Sequence, residues 1–221
     1  MLDTNNEIIL SESDFSRKTE KLEKLLLDLK RGIQISTSKL QEQNIGNEES
    51  KCRLITNSDI EDCYIVENKE KKIVEIDMKK QKQFLITESN VIILTKSGPN
   101  FKVGITNCDN GEKYLVSNNL YALKVNDKVL QPYFLLYYLN SNAGKKLLKE
   151  RSVVSKVPVL NCNDVYNLDI PVPPMDIQNQ ISEKMVSVIN SIKAAKLMYN
   201  AGIKRLEDID KILSSYENTG N

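Results

Sequence analysis

The strongest nucleophiles and softest metal ligands in this sequence are its 4 cysteines, Cys52, Cys63, Cys108 and Cys162. None has the neighbours that such chemistry needs. A thiolate or alkoxide nucleophile wants a base beside it, most often histidine, and the chain contains 0 histidines. The same absence removes the commonest zinc ligand. No pair of cysteines has Cys-x-x-Cys spacing, which excludes zinc ribbons and thioredoxin-like sites. The 8 glycines are scattered and form no phosphate-cradling loop. Asp59, Glu61 and Asp62 lie close together, but nothing in their spacing argues for a metal site, and a solvated turn is the expectation. Pro173-Pro174 stands between Val172 and Met175, so no Asn-Pro-Pro-aromatic methyltransferase motif is present. The chain is expected to catalyse nothing by itself and to bind no metal or cofactor.

Composition sets the scale of what remains. With 221 residues, 40% of them hydrophobic, the chain can build one domain with its own core and still have residues for a further element. Its 31 basic and 30 acidic residues give a formal net charge of +1. A polyanion-binding surface would therefore need basic residues gathered on one face, with the acids elsewhere. The start, Met1-Leu2-Asp3-Thr4, lacks the basic and apolar regions of a signal peptide. No apolar run reaches the ~18 residues of a membrane span. A cytoplasmic protein with reduced thiols is the expectation.

The elements that would position functional side chains follow from periodicity. Ile8-Ile9-Leu10 reads as a short strand. From Ser13, the residues Phe15, Thr19, Leu22, Leu26, Leu29 and Ile33 step by 4, 3, 4, 3 and 4, which predicts an amphipathic helix ended by Gly32. Residues 36–50 read as a loop. Strands are then expected at Arg53–Ile55, Tyr64–Val66, Ile73–Ile76, Phe84–Ile86, Asn90–Thr95, Lys102–Ile105, Tyr114–Val116 and Leu120–Val125. Gly98-Pro99 and Asp109-Asn110-Gly111 mark turns between them. Pro132 opens a helix reaching Lys149, with an interruption expected near Gly144, and residues 150–175 return to extended chain.

The most regular pattern comes last. Beyond Asp176, an expected N-cap, the apolar residues Ile181, Met185, Val188, Ile192, Ala195, Tyr199, Leu206, Ile209 and Leu213 share one seam, with Gly202 between Tyr199 and Leu206. The steps alternate 4 and 3, the spacing of a coiled coil. A helix of about 38 residues would be about 57 Å long, too long for a domain of this size to bury. The seam is expected to seek a partner helix.

The order of these features resembles the specificity subunits of type I restriction–modification systems. In Ile170-Pro171-Val172-Pro173-Pro174, followed by Gln178 and Ile181, the chain matches the family's proline-rich run, its Gln and the Ile that opens a long helix. Ile177 departs from the Glu usual before that Gln. Upstream, Leu25–Leu29 with Lys30-Arg31-Gly32, Leu54–Ile60, Ile86–Leu94, Ser117–Leu120 and Leu130–Leu139 resemble successive parts of a target recognition domain.

The resemblance implies an α+β fold: a globular target recognition domain with a β-rich core over residues 1–175, a long coiled-coil-type helix over 176–216, and a disordered tail over 217–221. It implies a non-catalytic half-length specificity subunit that directs a partner adenine methyltransferase to a bipartite site on double-stranded DNA. That methyltransferase, not this chain, would hold S-adenosylmethionine. A restriction subunit is a further partner the resemblance admits. The helix would pair with a second copy of the chain or with another half subunit. The alternative is a regulatory or assembly protein that pairs through its helix without reading DNA.

In such a domain, loops on one face would touch DNA: basic residues on phosphates, polar side chains on base edges. Lys96, Ser97, Asn100 and Lys102 surround the Gly98-Pro99 turn. Asn57, Asn118 and Asn119 have the amide that pairs with adenine, and Arg151, Ser152 and Lys156 form a second basic stretch. Each has a plainer reading, since surface lysines are ordinarily just solvated and turn asparagines often bond their own backbone.

Overall fold

A computed structural model describes residues 18–34, 50–61, 63–66, 73–108, 111–153 and 156–218. The expected strand at Ile8–Leu10, the expected helix start at Ser13 and Phe15, and Asp109-Asn110 lie outside these residues. In chain order the elements are β1 (Thr19–Lys21), α1 (Leu22–Leu25), β2 (Leu26–Arg31), β3 (Lys51–Ile55), β4 (Ile60–Glu61), β5 (Tyr64–Ile65), β6 (Ile73–Glu75), α2 (Met78–Gln81), β7 (Leu85–Ile86), β8 (Ile92–Thr95), β9 (Val103–Ile105), β10 (Tyr114–Val116), β11 (Leu120–Val125), α3 (Pro132–Asn140), α4 (Asn142–Arg151), α5 (Cys162–Tyr166), β12 (Asp169–Pro171) and α6 (Met175–Asn218). The fold is α+β.

Two four-stranded sheets carry the architecture. One has the order β6-β3-β10-β7, with β3 and β10 parallel and the other pairs antiparallel. The other, β2-β11-β8-β9, is antiparallel throughout. Ile55, Tyr114 and Val116 from the first sheet share a buried cluster with Ile93, Leu120 and Ala122 from the second. On the opposite face of the first sheet, Leu115 packs with Cys52, Leu54, Val74 and Leu85. β10 is thus buried on both sides, which is why Tyr114-Leu115-Val116 reads as an unbroken apolar run. Each such fully buried aliphatic side chain contributes roughly 1.5–3 kcal/mol.

The helix predicted from Ser13 to Ile33 is not what forms among the described residues. Leu22 and Leu25 are buried across the single turn of α1. The chain then straightens into β2, which pairs antiparallel with β11 from Leu26↔Val125 to Arg31↔Tyr121. Helix propensity differs by only tenths of a kcal/mol per residue among such side chains, so the ladder offered by a buried strand decides the outcome. Gly32 does not end a helix. Its N–H donates to the Leu120 carbonyl at 3.0 Å, and a Cβ there would lie 1.7 Å from the Ser117 oxygen. Only glycine lets the backbone pass so close.

Three smaller corrections have local causes. The interruption expected near Gly144 in the helix over Pro132–Lys149 falls three residues earlier, at Ser141. Ser141 Oγ accepts from Gly144 N–H at 3.2 Å and so caps α4. Gly144 instead permits close packing, since a Cβ on it would come within 2.0 Å of the Tyr138 oxygen. Within the stretch expected to be extended, Asn161 and Asp164 form a capping box that starts α5. Finally, α6 begins one residue before Asp176, which places that carboxylate in the first turn, facing the positive end of the helix dipole.

α6 has 44 residues, about 66 Å at 1.5 Å per residue. It runs through Glu217 and Asn218, into the stretch expected as a tail. Contacts divide the chain into Met1–Met185 and Val186–Asn221, so the first turns of α6 belong with the sheets. No helix among the described residues is long and apolar enough to cross a membrane.

Candidate nucleic-acid interface

The turn between β8 and β9 is built to present side chains. Thr95 closes its base: its N–H donates to the Lys102 carbonyl at 3.0 Å, and its Oγ1 accepts from the Lys102 N–H at 2.9 Å. A second segment buttresses the tip. Leu160 N–H donates to the Lys96 carbonyl at 2.9 Å and Gly98 N–H to the Pro158 carbonyl at 3.3 Å. Lys96 N–H in turn donates to the Asn119 carbonyl at 2.8 Å, which ties the tip to the turn between β10 and β11.

This tethering brings several of the sequence-predicted residues together. Ser97 Oγ lies 2.6 Å from Asn119 Oδ1, and Asn119 Nδ2 donates to the Ser97 carbonyl at 3.4 Å. These two side chains therefore serve each other first. Asn118, beside them, is exposed, and so is Asn100. Lys102 folds back: its Nζ donates to the carbonyls of Asn57 at 3.2 Å and Ile60 at 3.1 Å, across the turn Asn57–Asp59. Asn57 Oδ1 is buried there without a hydrogen-bond partner.

The Asn57–Asp59 turn rests on a buried charge pair. Arg53 Nη2 lies 3.4 Å from Asp59 Oδ1 and also donates to the Val66 carbonyl. The second Asp59 oxygen accepts from Thr56 N–H at 2.8 Å and Thr56 Oγ1 at 2.7 Å. The Arg53 guanidinium sits 6.0 Å from the Tyr114 ring centre. Burial, and then the bond to Glu112, push the Tyr114 hydroxyl well above its usual range, so it stays a neutral donor.

The second predicted basic stretch is placed differently. Arg151 Nη2 donates to Asp169 Oδ2 at 2.6 Å, and Lys21 Nζ lies 2.5 Å from Asp169 Oδ1. Lys21, and after it Arg151, hold the Asp169 carboxyl below the usual carboxylate range. Ser152 is buried and donates to the Lys149 carbonyl at 2.7 Å, whereas Lys156 is exposed.

Beside the β8–β9 turn lies a cleft of about 810 Å³. Ile60 and Glu61 of β4, Pro99 to Val103, Asn140, Pro158, and Lys145, Lys146 and Lys149 of α4 line it. Asn140 Nδ2 donates to the Val103 carbonyl at 3.2 Å, which fixes the end of α3, and hence the start of α4, against β9. The sequence reading missed the three α4 lysines. Lys145 and Lys149 are four residues apart, hence on one helix face, but nothing in the sequence says that α4 folds beside the turn.

The cysteines stay apart. All four are free thiols, and burial pushes the Cys52 thiol up to about 11. Among the described residues no group of three acidic or cysteine side chains could hold a metal ion.

On α6, the seam expected from the sequence is apolar and open from its middle onward. Val188, Tyr199, Leu206, Ile209 and Leu213 are exposed, Tyr199 by 68% and Leu206 by 59%. Ile181, Met185 and Ile192 are half-buried and Ala195 is exposed. Leu197, Met198 and Ile212, off the seam, are exposed too.

Comparison with known proteins agrees with this architecture. Among solved structures, the fold matches a chain from work on complex assembly and conformational transition of the type I R-M system, at 19% identity and a TM-score of 0.57, covering 86% of this chain and 43% of that one. It matches the HsdS subunit from Thermoanaerobacter tengcongensis at 18% identity and a TM-score of 0.52, covering 81% of this chain and 38% of that one. It also matches the type I restriction-modification S subunit from M. genitalium at 14% identity and a TM-score of 0.50, covering 79% of this chain and 39% of that one. The chain thus spans less than half the length of these solved relatives. No curated protein matches it in sequence. The family pattern described as type I restriction modification DNA specificity domain matches residues 26–205, from β2 to the middle of α6, and the chain belongs to that family.

Proposed function

We propose that this chain is a half-length specificity subunit, a non-catalytic protein that reads double-stranded DNA for a partner adenine methyltransferase. The observation that carries this reading is the family match across one recognition domain and one long helix. The methyltransferase holds S-adenosylmethionine and does the chemistry; a restriction subunit joins where the system also cleaves. The open seam on α6 pairs with a second copy or another half subunit, giving two recognition domains and a bipartite site.

The test is methylome sequencing of cells expressing the chain with its methyltransferase, beside cells lacking the chain. A bipartite adenine-methylation motif found only with the chain supports the reading, and a palindromic one assigns the pairing to two identical copies. Methylation that is the same in both cells refutes it and leaves the assembly role, in which the helix pairs but the domain reads nothing.

A further inference from the structure

We infer that the cleft between the β8–β9 turn and α4 is a clamp for the sugar–phosphate backbone of duplex DNA, with Lys145, Lys146 and Lys149 as its charges and Lys102 as its fixed wall. This rests on the DNA-reading function proposed above and says where the backbone lies.

Charge is the first argument. The whole chain has a formal net charge of +1, yet four lysines and a single carboxylate, Glu61, line this cleft. Lys145 and Lys149 are exposed and have no ion-pair partner among the described residues; Lys146 has only Glu150, at 3.8 Å. Such lysines are available to an incoming anion without breaking a strong pair. Residue type is the second argument. Lysine is a compact charge on a flexible stem that binds phosphate as a point charge and lacks the planar fork of arginine. Phosphate contacts fix register and carry no sequence information.

Position is the third argument. The wall opposite α4 is the β8–β9 turn, with Asn100 on the cleft and Ser97 and Asn119 tethered behind it. A backbone held by α4 would present adjoining base edges to Asn100. Lys102 is already bonded to the carbonyls of Asn57 and Ile60, so its charge stays at the cleft wall and holds the Asn57–Asp59 turn in place.

The experiment measures binding of the full chain to a 30-base-pair duplex of arbitrary sequence, by fluorescence anisotropy between 50 and 200 mM KCl. The triple variant Lys145→Gln, Lys146→Gln, Lys149→Gln is compared with a control, Lys79→Gln, Lys80→Gln, Lys82→Gln, on exposed lysines elsewhere. The cleft variant should lower the slope of log Kobs against log salt by ~2–3, at about 0.9 per lost phosphate contact, and bind roughly 10- to 100-fold more weakly at 100 mM. The control should keep the wild-type slope. Circular dichroism melts confirm that both variants fold. A steep wild-type slope that the cleft variant retains overturns the clamp and leaves the DNA reading standing. A wild type that does not bind duplex, or binds without salt dependence, overturns both.

Discussion

Gln178 should be among the most costly residues to replace, although it belongs to no sheet. It closes the first turn of α6 and is 1% exposed. Its amide makes every bond its position allows: Oε1 accepts from Gln131 N–H at 2.8 Å, and Nε2 donates to the carbonyls of Pro173 at 2.9 Å and Val129 at 3.2 Å. Gln131 precedes the proline that opens α3, so one side chain joins the start of α6 to the start of α3. Replacing Gln178 with Leu keeps the volume and strands one N–H and two carbonyls. A buried unsatisfied group costs ~1–3 kcal/mol. Val129 is 39% exposed, so its carbonyl can recover water. The expected loss is therefore about 2–6 kcal/mol, a large part of the ~5–15 kcal/mol typical of a domain. Urea unfolding followed by circular dichroism reads it directly, as a lower midpoint at unchanged m. A loss below about 1 kcal/mol would mean that the three bonds are replaced by water, and the latch argument would be wrong.

Three further outcomes are expected. Changing both Ile192 and Leu206 to Asp should halve the solution mass seen by analytical ultracentrifugation, because it puts charge into the seam proposed above to pair two copies; an unchanged mass would assign pairing elsewhere. Asp59→Ala should cost about 3–5 kcal/mol in thermal or urea unfolding, since it leaves the Arg53 guanidinium, 3% exposed, without its counter-charge; a cost under ~1 kcal/mol would show that water reaches Arg53. Arg151→Ala should cost at most ~1 kcal/mol at pH 7, because the Asp169 pair is more than one-third exposed and screened. Its sign follows from the lowered Asp169 carboxyl: the stabilisation is present above the unfolded carboxylate range and is lost as pH falls through the folded one. A cost that grows as pH falls would contradict this assignment.

What the sequence made legible follows from the range of the interactions involved. β8, β10 and β11 could be read because each is an apolar run that stays buried whatever its neighbours do. α6 could be read because a seam repeating every three and four residues over so many turns has no other regular solution. β2 could not, because leucines at helical spacing were overruled by a ladder to β11, far along the chain. The site divides in the same way. Gly98-Pro99 marks the presenting turn locally, while its Ser97–Asn119 tether depends on two turns meeting. The α4 lysines become part of a cleft only after Ser141 breaks the helix and Asn140 anchors α3 to β9.

The near-neutral charge, which alone argues against a nucleic-acid ligand, loses its force once the fold sorts the charges. Many ions in this chain are paired locally. Asp169 takes both Lys21 and Arg151, Glu88 takes Lys124, and Asp208 takes Lys211. Such groups largely cancel in the total and project little field, because opposite charges a few ångströms apart cancel within a Debye length of about 8 Å at physiological salt. What a polyanion meets is the remainder, and at the α4 cleft the remainder is positive. Net charge is a sum over the whole chain, whereas a docking backbone samples only the charges within a Debye length of its own phosphates. In the pair proposed above each chain would need few such charges, since two clamps on one duplex would add their salt dependence, and the second would bind at a high effective concentration once the first is seated.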